Sequence, residues 1–75
     1  MERYKNLNGD SGVYAFEISH DSIIVQFNKG HAYRYTYLAT GSDNVERMKT
    51  LAMAGKGLGT FINRYVRKRY AERIR

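Results

Sequence analysis

The apolar residues of this chain change their period once, near residue 40. That change limits the fold more than any other feature. Val13-Tyr-Ala-Phe-Glu-Ile18 alternates, with Tyr14, Phe16 and Ile18 on one side and Val13, Ala15 and Glu17 on the other. Ser22 to Phe27 is β-branched and apolar, with Ile23, Val25 and Phe27 sharing a face. His31 to Leu38 alternates again, setting Tyr33, Tyr35 and Tyr37 against Arg34 and Thr36. Period 2 predicts strands over 13–18, 22–28 and 31–38. Ser19-His-Asp-Ser22 reads as a turn, and Asn28-Lys29-Gly30 as a hairpin loop with Gly30 in the left-handed position.

From Gly41 onward the spacing becomes helical. Asp43 and Glu46 stand at capping-box spacing. Val45, Met48, Leu51 and Ala52 form an apolar stripe, with Glu46 and Lys49 opposite. A helix over 43–54 is expected, stopped by Gly55. A second helix is expected over 59–69. Its start falls between Leu58 and Phe61, with Thr60 and Gly57 both acceptable caps. At 100° per residue, Phe61, Ile62, Tyr65 and Val66 share one arc, and Asn63, Arg64, Arg67 and Lys68 lie opposite. Arg69 falls back on the apolar arc, where its stem covers the core edge or the helix leaves the body. The reading is α+β: a three-stranded antiparallel β-meander followed by two helices on one sheet face, β-β-β-α-α.

At 75 residues the chain makes one domain, and a domain this small buries only about 60% of its unfolded surface. Residues 1–11 are polar and read as a loose lead-in, with Tyr4 or Leu7 the candidates to dock; residues 12–75 read as the domain. There is no Cys, hence no disulfide and no thiolate metal site. That absence, a start without an apolar run, and no stretch near the roughly 20 apolar residues of a membrane span lead us to expect a cytoplasmic protein without a membrane partner.

Charge is distributed unevenly. Residues 61–75 hold six of the 13 basic residues, Arg64, Arg67, Lys68, Arg69, Arg73 and Arg75, against Glu72 alone. That is +5 of a net +6, with Tyr65 and Tyr70 between the cations. Arg64, Arg67 and Lys68 place like charges at i,i+3 and i,i+4, each pair costing a free helix a few tenths of a kcal/mol. A phosphate backbone would relieve that repulsion. A solvated helix end that complements the helix dipole is the simpler alternative.

Tyr33-Arg34-Tyr35, closing a β-meander, is followed at a distance by Phe61-Ile62-Asn63-x-x-Val66-Arg67-x-x-Tyr70. Over roughly residues 11–70 this resembles the KTSC domain, found at the C-terminus of some lysyl-tRNA synthetases and alone in small bacterial and phage proteins. The resemblance implies a small α+β domain, for which RNA binding has been proposed. Its motif residues carry over to Tyr33, Tyr35, Asn63, Val66, Arg67 and Tyr70. Ile62 stands where an aromatic is usual, Ala71 where Pro is usual, and the stretch from Leu38 to Gly57 is longer than in the synthetase-attached form.

Two readings compete for Tyr33, Tyr35 and Tyr37: a stacking platform or the core. Parity favours the core, because these rings share the face of Phe16, Ile23, Val25 and Phe27. Arg34 then lies on the open face as a ligand contact or a partner for Glu17. Gly55-Lys56-Gly57-Leu58-Gly59 lacks the Walker pattern and follows a helix, so it reads as an inter-helix turn. Lys56 and Gly57 remain a candidate seat for a single phosphate. His20, Asp21 and His31 bring no nucleophile or third ligand with them, so neither catalysis nor a metal or cofactor is expected.

The expected function is non-enzymatic binding of nucleic acid, RNA before DNA. Arg64, Arg67, Lys68 and Arg69 would contact phosphates, Asn63 and Tyr70 would add hydrogen bonds or stacking, and Arg34 would contribute at the margin. The alternative is a protein–protein interaction module or homodimer, accessory to a larger bacterial or phage complex, using Met53 and the sheet edges.

Overall fold

A computed structural model describes residues 1–9 and 11–75; Asp10 of the expected lead-in lies outside them. The fold is α+β. A five-stranded antiparallel sheet runs β1-β2-β3-β4-β5 in chain order. Its strands are β1 (Glu2–Arg3), β2 (Val13–Ser19), β3 (Ser22–Phe27), β4 (Ala32–Thr36) and β5 (Glu72–Arg73). Between β4 and β5 lie α1 (Tyr37–Thr40), α2 (Ser42–Ala54) and α3 (Leu58–Phe61), the last running directly into a π-helical turn, Ile62–Val66.

The three central strands form where the alternation predicts them. The sheet is wider than the expected meander because both chain ends add a two-residue edge. Arg3 pairs with Ala15 on one side, and Arg73 pairs with Tyr33 on the other. Short, charged edges of this kind are poor templates for pairing with another chain.

Parity holds in β3 and β4 and fails in β2. Phe16, Val25 and Tyr33 lie in one cross-strand row, and Ile18, Ile23 and Tyr35 in the next. The β2–β3 register slips between Val13 and Ala15. This bulge inserts one residue, so Val13 and Phe16, three apart, both enter the core while Tyr14 is expelled. Tyr14 instead lies under the Arg3 guanidinium, 4.2 Å from its ring centroid. Ile18 also proves exposed, and Phe27 only half-buried.

The helices fill the other side of the core. Val45, Met48 and Ala52 of the expected stripe are buried and Leu51 half-buried against them, with Leu58, Ile62 and Val66 beyond. The helix stop at Gly55 adopts φ 78°, and its N–H donates to Ala52 and Leu51 carbonyls. The start differs: α2 begins at Ser42 with no side-chain cap, so Asp43 and Glu46 form no capping box. Tyr37 belongs to the unforeseen one-turn helix α1, capped by Thr36 Oγ1 accepting from Ala39 N–H at 3.1 Å.

The lead-in is pinned rather than loose. Tyr4 is buried in the core, and the Leu7 N–H donates to Gly55 O at 2.8 Å. The Leu7 side chain stays exposed.

Candidate nucleic-acid interface

The basic stretch is where sequence and structure differ most. The helical wheel carries the second helix to residue 69, yet helical structure ends at Val66. Leu58, Ile62 and Val66 are the buried residues of this stretch, spaced by four. At 3.6 residues per turn that spacing drifts by about 40° per step. The wider π turn compensates and keeps Ile62 and Val66 facing the core. Tyr65 then falls outside, against Phe61 with centroids 5.0 Å apart. It is exposed, not on an inward arc.

After Val66 the chain turns. Arg69 N–H donates to Val66 O at 2.9 Å, and Thr40 Oγ1, fully buried, donates to Arg69 O at 2.6 Å. Ala71 N–H and Ile74 N–H then donate to Arg34 O and Ala32 O, both at 2.7 Å. The outer edge of β4 thereby gains partners that it would otherwise lack.

Arg64, Arg67, Lys68 and Arg69 are all exposed. Among the described residues the ion pairs are Arg34–Glu72 and Lys49–Glu46, so these four cations have no carboxylate partner. Arg34 does have one. It pairs with Glu72 of β5, not with Glu17, because β5 lies beside β4. Tyr70 is held by its ring, 4.6 Å from Tyr33 and 6.3 Å from Tyr35. Tyr70 therefore joins the Tyr33–Tyr35 pair in space. Tyr35 is buried, and that burial, with Tyr33 and Tyr70 beside it, pushes its phenol up to about 12. Tyr33 is half-buried with part of its ring open.

Asn63 faces a different place. With Lys56, Thr60, Ser11, Asn8 and Tyr4 it lines a polar cavity of about 180 Å³ between the lead-in and the start of α3. Gly57 precedes α3 at φ 83° without a side-chain cap, and Leu58 N–H donates to Tyr4 Oη at 3.3 Å. Lys56, Gly57 and Asn63 are thus neighbours, which the sequence separation of seven residues did not suggest.

Two contacts had no counterpart in the sequence. Lys49, assigned by the wheel to the solvent side, is 9% exposed. Its ammonium donates to His20 O and pairs with Glu46, both at 2.8 Å. Glu46 also accepts from Tyr37 Oη. Hydrogen bonds from Lys49 and then Tyr37 hold the Glu46 carboxyl below its usual range, and the bond to Glu46 raises the Tyr37 phenol. His31 is the other: Arg73 Nη2 lies 2.8 Å from its Nδ1.

Among the described residues no three His, Cys, Asp or Glu side chains stand close enough to hold a metal ion, and no helix is long and apolar enough to cross a membrane. Comparison with protein-family models, curated proteins and solved structures finds no match for the chain.

Proposed function

We propose that the protein binds nucleic acid, RNA in preference to DNA, without chemistry, and that the stretch 64–69 is its phosphate-binding element. The observation that carries this reading is the cluster of four exposed cations that, among the described residues, have no carboxylate partner, at the end of a helix. Among the described residues Arg34 and Lys49 are the cations that pair with a carboxylate, and both lie outside this stretch. Arginine forks suit phosphate oxygens, and the polar cavity with Lys56 and Asn63 offers a second seat for a phosphate. The resemblance to the KTSC domain supports the same class of partner. Arg34, spent on Glu72, contributes least.

The test is a salt series. Three phosphates neutralised on a single strand give a log–log slope of roughly −2, with affinity on the order of micromolar or weaker at physiological salt. Arg67→Glu with Lys68→Glu should abolish binding and leave the fold intact, since both side chains are exposed. Binding that ignores salt, or survives this double change, would overturn the reading.

One observation favours a second reading, a protein-interaction module or homodimer. Leu38 is 98% exposed on α1 and Met53 58% exposed on α2. Self-association that persists in high salt and is lost in Leu38→Ser would support it, because apolar contacts do not weaken with salt.

A further inference from the structure

The loop between β3 and β4 opens onto a groove of about 410 Å³, lined by Gly12, Phe27, Asn28, Lys29, His31 and Tyr33. That size is within the range of small-molecule sites. Its walls are aromatic. Phe27 and Tyr33 meet edge to face with centroids 6.0 Å apart, and both are half-buried, leaving ring surface open. Gly12 adds no bulk, and a Cβ there would meet nothing within 4 Å.

The rim is polar and exposed, and its bonding is partly committed. Asn28 Nδ2 donates to Ser11 O at 3.2 Å, which orients the amide and leaves Oδ1 as an acceptor. His31 Nδ1 lies 2.8 Å from Arg73 Nη2 and 3.4 Å from Arg75 O; a guanidinium can only donate, so the shorter contact assigns Nδ1 as acceptor and Nε2 as the donor. Lys29 supplies a cation, and none of the described lining residues is acidic. An aliphatic ligand would cover these groups without pairing them, which is costly. A flat, aromatic ligand with donors and acceptors on its edge would use both wall and rim.

The groove is also joined to the basic stretch. Tyr33 packs at a tilt against Tyr70, which directly follows Arg69, and His31 is bonded to Arg73 of β5. We propose that this groove seats one unpaired base of a single strand whose phosphates lie along 64–69. The inference rests on the nucleic-acid reading above and adds the form of the partner. A base can reach an aromatic wall only when it is out of a duplex stack, so the protein should prefer single strands.

The experiment titrates the intact chain with three short probes followed residue by residue in NMR spectra: single-stranded RNA, the same sequence as a duplex, and an abasic strand of equal charge. One base stacked on an aromatic ring makes the single strand tighter than the abasic one by about tenfold. Shifts are expected at Asn28, Lys29 and His31 as well as at 64–69. His31→Ala and Asn28→Ala, both at exposed positions, should remove several-fold of that advantage and leave abasic binding unchanged. Equal affinity for the single and abasic strands, or shifts confined to 64–69, would overturn the groove assignment while polyanion binding stands. No binding of any probe at low salt would overturn both.

Discussion

Helix α2 and the helical run that begins at Leu58 and continues through Ile62–Val66 both carry helical spacing, yet they end differently. In α2 every signal is local. Its stripe is buried, and Gly55 supplies the left-handed residue that stops it. The stretch from Ile62 has no stop residue before Arg69, and the helix ends at Val66 all the same. There the decision is made by partners distant in sequence: Thr40 on the Arg69 carbonyl, and β4 on the backbone of residues 71–74. A helix with its own cap ends where the cap is, whereas one without ends where tertiary bonding outcompetes another turn.

The largest expected effects set a core residue of each region against the other. Met48→Ala in α2 and Ile62→Ala in the π turn should each cost about 2–5 kcal/mol, measured by urea unfolding. Hydrogen exchange then separates them. Ile62→Ala should also expose the Ala71 and Ile74 amides to exchange, while Met48→Ala should not do so selectively. Equal protection losses in both variants would mean that β5 does not depend on the π turn.

Gly55→Ala probes the local stop. The position has φ 78°, and an added Cβ would lie 2.7 Å from Lys5 Cβ. The strain should cost about 1–3 kcal/mol, read as a lower melting temperature. A neutral outcome would show that α2, too, is ended by its surroundings.

Tyr70→Ala tests the tether of the basic stretch. Losing its contacts with Tyr33 and Tyr35 should cost about 0.5–1.5 kcal/mol beyond the lost burial and loosen residues 67–71 in relaxation measurements. Smaller still is Arg34→Ala. Its ion pair with Glu72 is exposed, and such pairs contribute about 0.2–1 kcal/mol, an effect that should shrink in high salt. A larger loss would make β5 dependent on that pair rather than on its backbone bonds.

Much of the candidate site was legible as charge and little of it as geometry. The excess of cations in 61–75 is plain in the sequence, but that Glu72, the one acid of this stretch, pairs with Arg34 is seen only in the structure. Asn63 shares an arc with Arg64 on a wheel, yet it lines a cavity with the lead-in and Lys56. His31 had no visible role until β5 brought Arg73 beside it.

By itself the sequence determined what rests on near neighbours. Alternation produced β2, β3 and β4, a stripe at three- and four-residue spacing produced α2, and glycine produced its stop. These follow from the side-chain periods of strand and helix, which act within a few residues. Only the tertiary structure decided the bulge that expels Tyr14, the burial of Lys49 under the His20 carbonyl, the π turn and both edge strands. Each of these satisfies a backbone group or a packing gap presented by residues far away in the chain. No periodicity encodes such a demand, because it arises once the sheet and helices have come together.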